Sequence, residues 1–245
     1  TAMVGFWATL SLNIPDFTRY AKSQREQALG QLIGLPTTMT FYSFIGIAVT
    51  SATLLIYGEA IWDPVALMAK FKSPVVVAVS MFGLTIATLS TNIAANVVAP
   101  ANSFANMAPK KISFKVGGYI TGILGILIFP WKLIADPDGY IFRWLIAYSA
   151  LLGALAGIMI CDYYIVRKTQ INLAELFNEK GIYKGWNKIA WLVFVVSLLP
   201  VIPGFLVAVG LVSTTTFPQT LVDLYSYAWF ITFGISFILY AGLMK

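Results

Sequence analysis

Four strong hydrogen-bonding side chains crowd into seven positions of one apolar segment: Ser90, Thr91, Asn92 and Asn96, within a run reading TIATLSTNIAAN over positions 85–96. On a helix Asn92 and Asn96 share one face, while Ala87 and Thr91 share another with Ser90 beside them. Serine and threonine can bond back to their own helix and need little further explanation. Two asparagine amides are harder to absorb, because each brings two donors and an acceptor with two lone pairs. They serve either as glue between helices, with the alanines allowing close approach, or as the polar lining of a ligand cavity. Spacing alone leaves both open. No carboxylate accompanies them. Neutral hydroxyl and carbonyl oxygens can replace part of a cation's hydration shell, which favours sodium over a proton as any coupled ion.

The second place with chemistry in it is Gly5-Phe6-Trp7, followed by Asn13-Ile14-Pro15-Asp16. Pro15 cannot donate a backbone hydrogen bond and disfavours helix just before it, so the helix should loosen or end there. Gly5 permits unusual backbone geometry. Trp7 stands nine residues before Asp16, which at helical rise is about 13 Å from the charged end. Tryptophan prefers the wetted interface. One this deep either packs between helices or forms a flat binding wall.

Asp16 and Asp162 sit near Arg19 and Arg167, in positions suited to capping or interfacial ion pairs. No buried acid is therefore evident for a proton relay. Histidine is absent, and the lone cysteine, Cys161, reads as a buried small side chain.

The elements that position these residues are membrane helices. Of 245 residues, 59% are hydrophobic and 11% charged, and the mean hydropathy is +0.81. That excludes a disordered chain, a soluble enzyme and a disulfide scaffold, and leaves an all-α integral membrane protein. Seven candidate spans appear, near positions 1–20, 29–57, 74–98, 117–134, 141–166, 189–212 and 221–243. Two short amphipathic segments, 59–71 and 171–177, would lie on the membrane surface through Ile61, Val65, Leu67 and Met68, and through Leu173, Leu176 and Phe177.

The net charge of +6 follows the loops. One side carries Arg19, Lys22, Arg25, Lys110, Lys111, Lys115, Arg167, Lys168, Lys180, Lys184, Lys188 and Lys245. The other carries Lys70, Lys72, Lys132 and Arg143. Twelve against four places the C-terminus in the cytoplasm and makes the first span enter from outside. The basic excess thus needs no nucleic-acid partner. The chain opens at Thr1 inside an apolar stretch, without a basic n-region or an A-x-A site, so it reads as a piece of a longer protein and not as a signal peptide.

At these residues the sequence resembles the nucleobase:cation symporter-1 family of hydantoin, allantoin, uracil, cytosine and purine permeases, most closely its bacterial allantoin/hydantoin/uracil branch. The resemblance is carried by NIPDFTRYAKS, GQLIGLP, ATLSTNIAANVVAPANSFANMAPKKIS and GGYITGILGILIFPW, collinear over most of the chain. It implies a LeuT-type inverted-repeat transporter of twelve spans, of which this chain is spans six to twelve. Residues 1–166 would be the second five-helix repeat, 167–188 a cytoplasmic loop, and 189–245 two additional spans. It implies that Trp7 stacks on the substrate ring, that Asn92 and Asn96 bind its edge, and that the Ala87 carbonyl with the Ser90 and Thr91 hydroxyls holds Na⁺.

The resemblance further implies a symporter of the plasma (inner) membrane, with no enzymatic activity and no cofactor beyond the coupling ion. The substrate would be a small nucleobase-like ring. The missing N-terminal half would supply further substrate and sodium groups, and the present segment would be inactive alone. The rivals are a proton-coupled cytosine or purine permease and another solute carrier, such as an amino-acid carrier, on the same fold. A free ammonium substrate would want a carboxylate that these spans lack. A channel would show a charged ring or repeated pore motif, and none is visible.

Overall fold

A computed structural model describes residues 2–136, 139–176, 178, 180–183 and 185–244. Every regular element among them is helical. In chain order these are α1 (Ala2–Trp7), α2 (Leu10–Asn13), α3 (Pro15–Thr18), α4 (Gln24–Tyr57), α5 (Pro64–Met68), α6 (Pro74–Asn96), α7 (Val98–Met107), α8 (Phe114–Leu127) and α9 (Pro130–Ile134), then α10 (Ile146–Cys161), α11 (Leu173–Leu176), α12 (Lys188–Leu198), α13 (Ile202–Ala208), α14 (Gln219–Asp223) and α15 (Ala228–Leu243). Wider π-helical turns flank α10 at Gly139–Leu145 and Asp162–Val166. Two compact units result: Pro15–Leu127, and Thr1–Ile14 with Ile128–Lys245.

Among the described residues five helical stretches are long and apolar enough to cross a membrane: Gln24–Tyr57, Pro74–Met107, Arg143–Val166, Lys188–Ala208 and Gln219–Leu243. The other two expected spans are broken. The first becomes α1, α2 and α3. Its interruption at Ile14 is the one Pro15 predicts, but an earlier one at Ala8–Thr9 follows Trp7 directly. The fourth is split between α8 and α9, because Pro130 drives the preceding residue out of the helical region. Phe129 there adopts a left-handed φ of 54°.

In the unit Pro15–Leu127, helix starts follow local chemistry. Ser23, Asp63 and Ser73 cap α4, α5 and α6 by accepting from the backbone N–H three residues on, and Pro64 and Pro74 occupy the first turns of α5 and α6. Gly58 ends α4 with φ 77°. The surface segment before α5 is pinned where the Ile61 N–H donates to Thr53 Oγ1 at 2.8 Å. Ile61 and Met68 turn inward as expected, whereas Val65 stays exposed. Helices α7 and α8 meet at Gly117, where a Cβ would stand 2.6 Å from the Ala101 carbonyl.

The other unit is built on α10 and α15. Tyr225 Oη donates to the Arg143 carbonyl at 2.9 Å, Thr232 Oγ1 to the Ala150 carbonyl at 2.8 Å, and Tyr240 Oη to Asp162 Oδ1 at 2.9 Å. Both partners climb together in residue number, so the two helices run parallel. The intervening crossing is supplied by α12 and α13. The helices approach closely because Gly153 and Gly157 face α15. A Cβ at Gly153 would stand 2.5 Å from both Thr232 Oγ1 and the Trp229 carbonyl, and one at Gly157 would stand 2.5 Å from the Phe233 carbonyl. Cys161 is fully buried, as its isolation suggests.

At the C-terminal end of this pair a polar hub joins three segments. Asp162 pairs with Arg167, as the sequence predicts, and also accepts from Tyr240, which in turn accepts from Asn187 Nδ2 at 2.9 Å. The hydrogen bond to Asp162 raises the pKa of Arg167 above its ordinary value. Asp16 forms no salt bridge with Arg19 among the described residues; the Arg19 guanidinium instead donates to Tyr20 Oη at 3.0 Å. The segment expected at 171–177 forms only the single turn α11, with Leu173 and Leu176 exposed and Phe177 outside the described residues.

These contacts predict that Gly153→Ala lowers the thermal stability of the purified protein by about 1–3 kcal/mol, the usual cost of overpacking. Gly234→Ala lies on α15 at a position with nothing within 4 Å, and it should be neutral or slightly stabilising. Melting curves in detergent check both.

Candidate functional site

Trp7 is the last residue of α1 and is partly buried. Its helix is seated on the start of α10 through Gly5, where a Cβ would stand 2.7 Å from both the Leu145 carbonyl and Ser149 Cβ. Only glycine permits that approach. Directly after Trp7 the hydrogen-bond ladder tightens, with the Ala8 N–H donating to the Gly5 carbonyl at 3.3 Å. Next, the Leu12 N–H donates to Thr9 at 3.0 Å. The tryptophan therefore stands at a helix end and not in the middle of a continuous span.

In the other unit, α6 carries Ala87, Ser90, Thr91, Asn92 and Asn96 on a single uninterrupted helix. The structure brings these together as the spacing predicts. Ser90 Oγ donates to the Ala87 carbonyl at 3.1 Å, so two of the three expected sodium ligands are already in contact. The Thr91 hydroxyl has no hydrogen-bond partner among the described residues. Asn96 Nδ2 donates to Asn92 Oδ1 at 2.6 Å. This one bond polarises the pair: it leaves the Asn92 NH₂ as a free donor and the Asn96 oxygen as a free acceptor, on the same face and one helical turn apart. A donor beside an acceptor is the complement of a cyclic amide edge.

No residue of α6 is buried. The buried residues of this unit lie elsewhere, at Thr53, Ile61, Met68, Ala99, Ala101 and Gly117. Helix α6 ends at Val97, whose φ of −110° and ψ of −40° separate it from α7 just below the two asparagines.

Among the described residues no group of three His, Cys, Asp or Glu is placed to hold a metal ion. An open cleft lined by Arg167, Asn172, Tyr183 and Met244 contains none of the sequence-predicted site residues. Sequence reasoning missed the seat of α1 on α10 and the strapping of α10 by Tyr225 and Thr232. The available signal was Gly153-x-x-x-Gly157, a spacing that marks close helix packing in membranes.

A family profile described as "Permease for cytosine/purines, uracil, thiamine, allantoin" matches residues 1–232. The chain is 42% identical over 250 residues to a purine-uracil permease of Arabidopsis thaliana, covering 100% of this chain and 41% of the relative. It is 40% identical over 246 residues to an allantoin permease of Bacillus subtilis, covering 100% of this chain and 48% of the relative. Among solved structures it is similar to the "Inward facing conformation of Mhp1", with a TM-score of 0.69, 27% identity, and coverage of 99% of this chain and 50% of that one. The chain thus spans about half the length of the curated relatives it matches.

Because Ser90 bonds only to its own helix, Ser90→Ala should keep the melting temperature of the purified parent protein within roughly 2 °C, as for substitutions outside the packed core. A large drop would make the hydroxyl packing glue and not a ligand group.

Proposed function

Since the chain belongs to the permease family for cytosine/purines, uracil, thiamine and allantoin, we propose that it is the second half of a secondary transporter that imports a small nucleobase-like ring with Na⁺. Its fold is the all-helical LeuT type, and it is a transporter segment, not an enzyme. The observation that carries the reading is the asparagine pair of α6, hydrogen-bonded at 2.6 Å and left with one donor and one acceptor turned outward.

Hydantoins and pyrimidines are flat, uncharged rings with alternating amide N–H and C=O. Asn92 would donate to a ring carbonyl and the Asn96 oxygen would accept from a ring N–H. Trp7 would supply a stacking face, worth about 1–3 kcal/mol per base in comparable sites. A ring with the wrong edge would leave those amides unpaired and be rejected. Sodium, as co-substrate, fits the neutral oxygens of Ala87, Ser90 and Thr91. When the Ser90 proton turns away from the Ala87 carbonyl, both oxygens can face one cation. Ion and ring then occupy adjacent turns of α6, so binding of one biases the helix toward the state that binds the other.

The second partner is polypeptide. Helix α6 buries none of its residues, yet amides and hydroxyls facing lipid would cost several kcal/mol. They call for protein or a water-lined cavity against them. The N-terminal half of the same transporter, with five further spans, fits that need. Residues 1–166 would form the second inverted repeat, 167–188 a cytoplasmic loop, and 189–245 two additional spans, in a plasma-membrane protein with a cytoplasmic C-terminus. On this reading the 245 residues alone do not transport.

The test is uptake of labelled uracil and allantoin by the full-length parent, with and without a Na⁺ gradient. Uptake should be saturable and Na⁺-dependent. Trp7→Ala and Asn96→Ala should each lower ring affinity by roughly tenfold or more, in line with the loss of a 1–3 kcal/mol contact. Thr91→Val should raise the Na⁺ concentration needed for half-maximal uptake. Uptake indifferent to sodium would remove the ion from Ala87, Ser90 and Thr91 and favour proton coupling.

A further inference from the structure

We infer that α15, with the 3₁₀ turn Leu224–Tyr227 that leads into it, is a splint for the ring-stacking tryptophan: Tyr225 and Thr232 are positioning residues that hold α10 and the π-helical turn before it, and these in turn hold the segment carrying Trp7. The inference rests on Trp7 being the stacking residue proposed above. It adds a role for the C-terminal helix.

The chain of contacts lies within one unit. Gly5 of α1 meets α10 at the Leu145 carbonyl and Ser149 Cβ, both 2.7 Å from where a Cβ would be. The Ser149 hydroxyl is turned away and donates to the Ile146 carbonyl at 2.7 Å. The seat is therefore set by shape, with no slack to absorb a shift of α10. Trp7 follows Gly5 by two residues on the same short helix, so a tilt at the seat swings the indole.

The seat spans the end of the π-helical turn Gly139–Leu145 and the first turn of α10, and the same stretch is gripped by α15 and the turn that leads into it. Tyr225 bonds the Arg143 carbonyl and Thr232 bonds the Ala150 carbonyl, at 2.9 and 2.8 Å. Arg143 and Ala150 bracket Leu145 and Ser149 in sequence, and within α10 Ala150 lies about 100° round the helix from Ser149. Thr232 thus holds α10 from a side other than the one that Gly5 meets. Tyr225 is 6% exposed and Thr232 is 0% exposed. No water competes for these bonds, and packing of Tyr225 against Ile146, Ala150, Val201 and Ala228 restricts the ring that makes one of them. A hydroxyl that bonds a neighbouring helix's carbonyl specifies where that neighbour stands; Thr232 Oγ1 does so at 2.8 Å while also reaching the Trp229 carbonyl of its own helix at 3.2 Å.

The experiment uses the full-length parent. Tyr225→Phe and Thr232→Val each remove one hydroxyl while keeping shape, and they are combined with and without Trp7→Ala. Equilibrium binding of labelled uracil and allantoin is measured, with melting temperature and Na⁺ affinity alongside. In a separate series Trp7→Cys is labelled with a maleimide in the absence of substrate. The two hydroxyl losses together should weaken ring binding roughly tenfold and, in the Trp7→Ala background, less than about twofold, the signature of coupled residues.

Na⁺ affinity should be unchanged, and the labelling rate at position 7 should change by about threefold or more. Thr232→Ser, which keeps the hydroxyl, should behave like the parent even if the double variant proves too unstable to assay. Equal losses in both backgrounds, or an unchanged labelling rate, would overturn the inference. If Trp7→Ala itself left binding intact, the stacking role would fail, and the labelling rate would still decide whether α15 positions α1.

Discussion

A polar group inside a bilayer has no water to fall back on, and side chains of this protein answer that constraint in two ways. In the unit built on α10 and α15, hydroxyls reach across to another helix: Tyr225 to Arg143, Thr232 to Ala150, Tyr240 to Asp162. Those bonds are structural, and the groups that make them are buried. On α6 the same chemical types bond within their own helix: Ser90 to Ala87, Asn96 to Asn92. Those bonds leave donors and acceptors facing outward. Similar polar chemistry therefore ties helices together in one place and leaves open donors and acceptors in the other. What separates the two is the direction in which the hydrogen bond is spent.

Close packing follows from the same constraint. Lipid tails give helices no hydrophobic reason to associate, so backbones must approach until dispersion and hydrogen bonds suffice. Gly153 and Gly157 let α15 reach α10, Gly117 lets α8 reach α7, and Gly5 lets α1 reach α10. In each case the space a side chain would occupy is filled by a carbonyl or by another side chain. Regular helix is interrupted directly after Trp7, directly after Asn96, and at the two π-helical ends of α10. Such interruptions are tolerated at membrane depth only where protein or a cavity receives the released groups.

The membrane class, the five long spans and the shared helix faces of α6 were legible because they are encoded locally. Hydropathy over about 20 residues marks a span, and residues four apart must share a helix face whatever surrounds them. The Asn92–Asn96 contact and the pairing of Asp162 with Arg167 are of this local kind. The splitting of the expected spans at 1–20 and 117–134 was half legible. Pro15 and Pro130 announce their own breaks, but nothing in the residues after Trp7 announces the one at Ala8–Thr9.

By itself, then, the sequence determined that this is an all-helical membrane protein, which family it resembles, and which side chains of α6 stand side by side. Only the tertiary structure decided which glycine faces which carbonyl, that α10 and α15 run parallel, and that the Trp7 segment rests on α10 at Gly5. The physical reason is range. Face and periodicity follow from one helix's own geometry, whereas a contact such as Thr232 with Ala150, 82 residues apart, depends on how several helices share space. An apolar face says that it will be covered, but not by which neighbour.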